Sequence, residues 1–223
     1  MNSATELLSV PGPAGNIDVA LDRPAGAARG VAVIAHPHPL YGGTRDNKVV
    51  QTLARALVQL GHVCWRPNFR GVGASAGVHD EGRGETEDLL ALVAFARRHP
   101  SVAALDDPAP VLAGFSFGAF VQTRVAARLA AQGRPAARLV LVAPAVSRFE
   151  VEPVAANTLV VHGEVDDVVP LADVFRWARP QDLPIVVIPG ADHFFHRRLP
   201  LLKRIVTSAL AGSAALEAAD QAR

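Results

Sequence analysis

Short, nearly uninterrupted apolar runs alternate along this chain with longer segments in which apolar residues recur every three or four positions. The runs are Val31 to Ala35, Val63 to Arg66, Val111 to Gly114, Leu139 to Ala143, Thr158 to Val161 and Pro184 to Ile188. None alternates apolar with polar residues, which is the pattern of strands covered on both faces. Between them, Val49 to Leu60 carries Val50, Leu53, Ala54, Leu57 and Leu60 at helical spacing, and Glu85 to Arg98 does the same with Leu89, Leu92, Val93 and Ala96. Phe117 to Ala131, Leu171 to Ala178 and Arg198 to Leu210 complete the helical set, with Gly61 and Gly133 where helix C-caps belong. This βαβα rhythm predicts an α/β fold, a mainly parallel sheet with helices on both faces. An initial extended pair, Glu6 to Val10 and Asn16 to Asp22 around Pro11-Gly12-Pro13, predicts antiparallel edge strands within residues 1–22. The Ala-rich segment from Gly212 to Arg223 is weakly patterned and reads as a frayed helix end.

Composition narrows the function classes. The 223 residues lie between one medium domain and two small ones, at about 150 residues per domain. No internal repeat and no linker divides them, so one domain over 1–223 is expected. A hydrophobic content of 50% excludes a disordered chain. Lys plus Arg at 22 against Asp plus Glu at 21 leaves +1, without the basic excess expected of a nucleic-acid binder; near-neutrality permits self-association as a homodimer. The lone Cys64 can form no internal disulfide and no Cys-based zinc site. The first residues, Met1-Asn2-Ser3-Ala4-Thr5-Glu6, show no secretory signal, and no apolar stretch is long enough for a membrane span, so a cytoplasmic location is the expectation.

The chemistry concentrates after the strands. Gly114-Phe115-Ser116-Phe117-Gly118 matches G-x-S-x-G, with an apolar strand before it and a helical segment after it, the context that a nucleophile elbow requires. A chain that reverses from strand to helix at one residue leaves no room for side chains at the flanking glycines. A serine needs a base and the base an orienting acid, and on such a turn they follow in the order Ser, acid, His. Asp166, in His162-Gly163-Glu164-Val165-Asp166-Asp167, and His193, in Gly190-Ala191-Asp192-His193, supply that order just past successive strands. Asp166 is preferred over Asp167 as the acid, and His193 over His196 as the base; His162 reads as a structural hydrogen-bonding group. The oxyanion hole is expected to use the N–H of Phe117 and one from the His36-Pro37-His38-Pro39-Leu40-Tyr41-Gly42-Gly43 loop. Pro37 and Pro39 have no N–H, and Leu40 or Tyr41 is the expected donor. His36 and His38 find no third ligand, so no metal site and no cofactor are expected.

Taken together, these motifs and Asn68-Phe69-Arg70-Gly71-Val72-Gly73 resemble serine hydrolases of the α/β-hydrolase fold superfamily from about Val31 to Leu210. The His-Pro-His-Pro-Leu-Tyr-Gly-Gly loop followed by Asp46-Asn47-Lys48 is similar to small bacterial predicted esterases related to dienelactone hydrolases, with Ser116 where those enzymes carry cysteine. The resemblance implies an eight-stranded sheet with only the second strand antiparallel. In many relatives a helical cap follows the strand after the elbow helix. Only the 14 residues from Pro144 to Asn157 (157 − 144 + 1) separate the strands here, so an open site without a lid is expected. The implied activity is cleavage of small-molecule carboxylic esters through an acyl-enzyme. A thioesterase, peptidase or perhydrolase with the same triad, or a non-catalytic interaction module on the same fold, are the other readings. Leu40, Tyr41, Phe115, Phe117, Phe149, Phe194 and Phe195 are the candidate rim residues, and Arg70 is read as an anchor between loops.

Overall fold

The computed structural model describes residues 5–221, with side chains through 212. Eight strands form one sheet: β1 (Thr5–Gly12), β2 (Gly15–Asp22), β3 (Gly30–Ala35), β4 (His62–Pro67), β5 (Val111–Phe115), β6 (Arg138–Val142), β7 (Leu159–Gly163) and β8 (Ile185–Ile188). Their order across the sheet is β1-β2-β4-β3-β5-β6-β7-β8. β2 runs antiparallel to both β1 and β4, and every other pairing is parallel. The five long helices are α1 (Lys48–Gln59), α2 (Arg83–Ala96), α3 (Phe117–Ala131), α4 (Leu171–Ala178) and α5 (Leu199–Gln221).

The apolar runs are explained by their two destinations. Successive strand side chains point to opposite faces. Val31, Val33 and Ala35 of β3 join Leu112, Leu139 and Leu141 in a core under α2, α3 and α4. Ala32 and Ile34 join Val111, Ala113, Val140 and Val142 in a second core under α1 and α5. A central strand therefore has no polar face to show. Helix α1 carries the spacing expected of it: Val50, Leu53 and Leu57 are fully buried against the sheet. Its C-terminus closes through Gly61 at φ +91°, and that of α3 through Gly133 at φ +70°.

Two boundaries differ from those expected. Helix α2 begins at Arg83, ahead of Glu85, because the buried Glu85 carboxylate accepts the N–H groups of Asp80 and Gly82, each at 2.9 Å, and caps the turn from inside the helix. Helix α5 continues as helical backbone to Gln221, through most of the segment expected to fray; residues 222 and 223 lie outside the described residues. Between β6 and β7, residues 143–158 hold no helix and no strand. No helix among the described residues is long and apolar enough to cross a membrane.

Two polar groups hold the loops at the C-terminal edge. Arg70 donates to both oxygens of Asp88 on α2, each at 2.8 Å, and to the Gly84 carbonyl at 2.8 Å, so it is the anchor that the sequence suggests. Gly84 leaves the space this guanidinium fills. His36, fully buried after β3, accepts the Phe69 N–H on Nε2 at 2.9 Å and donates Nδ1–H to the Pro37 carbonyl at 2.6 Å. Burial pushes its pKa down from the ordinary 6.5 to about 4, against the Pro37 hydrogen bond.

Breaking the Arg70–Asp88 pair leaves a carboxylate without its partner in a nearly buried position, so Arg70→Ala is expected to lower unfolding free energy by about 3 kcal/mol in urea titrations. His36 stays neutral in the folded chain down to about pH 4, whereas the unfolded chain protonates it near 6.5. Its contribution to stability is present above that window and is lost as pH falls through it, the loss reaching about 3 kcal/mol at pH 4. Wild-type stability should decline accordingly. His36→Asn, less stable at pH 7.5 because Phe69 N–H loses its acceptor, should show a flatter decline.

Candidate active site

Strand β5 ends at Phe115 and α3 starts at Phe117, so Ser116 alone makes the turn, with φ +56° and ψ −117°. Few L residues adopt this conformation without support. The support is close packing. A side chain at Gly114 would collide with the backbone of Gly118 and Ala119, and one at Gly118 with the carbonyls of Ala35 and His36. The Ser116 N–H donates to Val142 O on the neighbouring strand at 2.9 Å.

The partners come from the ends of the next strands. After β7, Asp166 folds back so that Oδ1 accepts the N–H groups of Val168 (2.9 Å) and Val169 (2.7 Å). After β8, His193 places Nδ1 2.7 Å from Asp166 Oδ2 and Nε2 3.0 Å from Ser116 Oγ. All three are buried. A carboxylate beside Nδ1 assigns the hydrogen to that nitrogen and leaves Nε2 as the acceptor for the serine hydroxyl. Burial works against the charged form of Asp166, but the His193 and Val169 hydrogen bonds outweigh it and hold the carboxyl below its ordinary range. His162, also buried, sets Nε2 2.9 Å from the Val169 carbonyl, which braces the same loop. Asp167 is exposed. Asp192 is occupied by His196, whose N–H and Nδ1 lie 2.9 and 2.6 Å from its two oxygens.

Ser116 and His193 face an open cleft of about 350 Å³, within the usual range for small-molecule sites. Tyr41, Phe117, Phe149 and Phe194 line it as expected. Phe115 and Phe195 do not. Both are fully buried: Phe115 is held in the core under α1 and α5, its ring 5.0 Å from that of His193, and Phe195 turns into the same core at φ +55°. Leu40, 69% exposed, lies outside the cleft lining. His38, Asn47, Arg148 and Val168 also line the cleft, although none of them is among the rim residues expected from sequence.

The loop donors also fall differently. The short 3-10 turn Pro39–Tyr41 engages the Leu40 N–H with His38 Nδ1 (3.3 Å) and the Tyr41 N–H with the His38 carbonyl (3.2 Å). The N–H of His38 itself, between the two prolines, has no hydrogen-bond partner among the described residues, and neither does that of Phe117 at the start of α3. Proline lacks an N–H, so His38 is the one residue of Pro37-His38-Pro39 able to donate, a signal that was readable in the sequence. His36 has both ring nitrogens committed to backbone partners. Among the described residues no group of three or more His, Cys, Asp or Glu is placed to hold a metal ion.

Known proteins share this arrangement of elements. A family profile described as the alpha/beta hydrolase fold matches residues 40–159. A crystal structure of an α/β serine hydrolase without a lid from Xanthomonas campestris is 35% identical, covers 95% of each chain and superposes with a TM-score of 0.84. An α/β serine hydrolase homologue from Coxiella burnetii is 39% identical over 94% of this chain and 99% of its own, with a TM-score of 0.82. An uncharacterized protein of Rickettsia prowazekii is 31% identical over 198 residues, 82% of this chain and 79% of its own. With its eight-stranded sheet, its strand-to-helix turn at Ser116 and no cap between β6 and β7, this chain belongs to the α/β-hydrolase fold family.

Proposed function

We propose that this protein is a serine hydrolase that cleaves carboxylic esters through an acyl-enzyme. The observation that carries the reading is the unbroken line of hydrogen bonds from Asp166 through His193 to Ser116 Oγ, with the hydroxyl at the floor of an apolar cleft. Ser116 Oγ attacks the ester carbonyl carbon while His193 Nε2 takes the hydroxyl proton. Asp166, kept ionised by its hydrogen bonds, stabilises the resulting imidazolium. The tetrahedral intermediate collapses with loss of the alkoxide, to which His193 returns the proton. Water then enters on the same path: His193 takes its proton, the hydroxide attacks the acyl carbon, and the acid leaves as Ser116 regains its hydrogen. One water is consumed, and one acid and one alcohol are formed.

The oxyanion donors in this reading are the N–H groups of Phe117 and His38. Both are free of other partners among the described residues, and both residues line the cleft beside Ser116. This assignment replaces Leu40 and Tyr41, whose N–H groups are turned back onto His38. Phe117 also begins α3, so the partial positive charge of that helix end favours the developing anion. A loop held by two prolines needs little rearrangement when the charge appears. The open cleft admits substrate without displacement of a cap.

Wild-type protein is expected to be labelled by a fluorophosphonate probe and to turn over p-nitrophenyl esters of short to medium acyl length. Ser116→Ala should lose the label and at least about 10³-fold in kcat. A folded wild type that neither labels nor hydrolyses any ester of the panel would sink the esterase reading. The acid is tested separately. Asp166→Asn should lower kcat on the order of 10³- to 10⁴-fold, because an amide no longer favours the imidazolium or the productive tautomer. Asp167→Asn, on an exposed carboxylate, should remain within about twofold of wild type; the reverse pattern would reassign the acid.

A further inference from the structure

The Ser116 cleft is apolar and aromatic along most of its wall, with His38, Asn47, Ser116 and His193 as polar residues. Among the described residues, Arg148 is the only Asp, Glu, Lys or Arg in its lining. The segment that bears it is well anchored: the N–H groups of Arg148 and Phe149 both donate to the Ala145 carbonyl at 3.2 Å. The Phe149 ring stacks on Phe120 at 4.6 Å and meets Phe117, the residue after the serine, edge-on at 5.3 Å. Arg148 is therefore carried at the cleft by a fixed turn, although residues 143–158 hold no helix or strand.

Its guanidinium has no ion pair and no hydrogen bond among the described residues. That distinguishes it from Arg45, Arg66, Arg70 and Arg97, each paired with a carboxylate. Among the described residues no Asp or Glu is in the cleft lining, and two carboxylates behind it are committed. Asp166 serves His193 and two backbone N–H groups, and Glu85 accepts from Asp80 and Gly82 behind His38 and His79. His38 titrates below its ordinary value first through burial and then through His79; Glu85 acts against this, and Arg148, the smallest contribution, acts with it.

A cation bordering an aromatic cleft, with five donors and no internal acceptor, is matched by a planar anion that accepts two of them at once. Apolar walls on one side reduce the screening such a contact suffers in open water. Resting on the hydrolase reading above, we propose that the cleft selects esters carrying a carboxylate, with Arg148 as the specificity-determining residue that binds it. The carboxylate belongs to the acid part or to the alcohol part of the ester, and the experiment separates the two.

Two matched pairs serve as probes. The p-nitrophenyl monoester of adipate against p-nitrophenyl hexanoate places the charge in the acid part. The butyrate ester of 4-hydroxybenzoate against phenyl butyrate places it in the alcohol part. The quantity read is the ratio of kcat/KM within each pair, after subtraction of the Ser116→Ala background, in wild type, Arg148→Gln and Arg148→Lys. Arg148→Gln should lower the ratio about tenfold in at least one pair, mostly through KM, and Arg148→Lys should restore part of it. The wild-type ratio in that pair should also fall as salt is raised. Ratios that are the same in wild type and Arg148→Gln for both pairs, with neutral esters still turned over, overturn the carboxylate preference and leave the hydrolase reading standing. Turnover of no ester by the folded protein overturns the hydrolase reading and this preference with it.

Discussion

Ser116 has a positive φ because β5 must pass into α3 without an intervening loop, and much of the site depends on that single residue. The strain, on the order of 1–3 kcal/mol, persists because the neighbours allow nothing else. The Ser116 N–H is tied to β6 through Val142, and α3 is drawn so close to the end of β3 that only glycine fits at position 118. The same approach lays the first turn of α3 beside the His36–Gly43 loop. The turn at Ser116, the helix terminus and the placement of the N–H groups of Phe117 and His38 are thus consequences of one packing contact between a helix and a strand end.

The remaining parts are placed by strands that need no strain. β7 and β8 lie side by side, with His162 opposite Val187 and Gly163 opposite Ile188, so the loops that follow them begin from adjacent points on the sheet edge. Asp166 reaches back from one loop and His193 from the other. The backbone N–H groups of Val168 and Val169 hold one carboxylate oxygen while the imidazole takes the second, which fixes the direction of both side chains. His162 holds the Val169 carbonyl from beneath. Charge, hydrogen bonding and loop shape are set together here, and a change in one would be felt in the others.

What was legible in the sequence follows from burial on two faces and from the rarity of the elbow motif. Continuous runs such as Val31 to Ala35 marked central strands because neither face meets water. The order of Ser116, Asp166 and His193 was legible because each follows a strand. Other features depended on partners distant in the chain. The start of α2 was set by a Glu85 side chain folding back on Gly82, which periodicity does not register. Phe115 and Phe195 are apolar residues within two positions of Ser116 and His193, and sequence has no sign that distinguishes a cleft wall from the core below it. In the His36–Gly43 loop the flanking prolines already marked the His38 N–H, but that the 3-10 turn engages the N–H groups of Leu40 and Tyr41 is a matter of hydrogen-bond partners that residue type does not show.

The β6–β7 segment, 143–158, has a consequence for how such a protein can change through descent. It brings Ala145, Arg148 and Phe149 to the cleft, yet it contains none of Ser116, Asp166 or His193. Part of the cleft wall is therefore encoded in a stretch of chain apart from those that carry Ser116, Asp166 and His193. The strands on either side of that stretch are pinned by the sheet, so substitutions or insertions within it leave the ends of β6 and β7 in place. The shape and charge of that side of the cleft can drift along a lineage while the three hydrogen-bonded residues stay where they are.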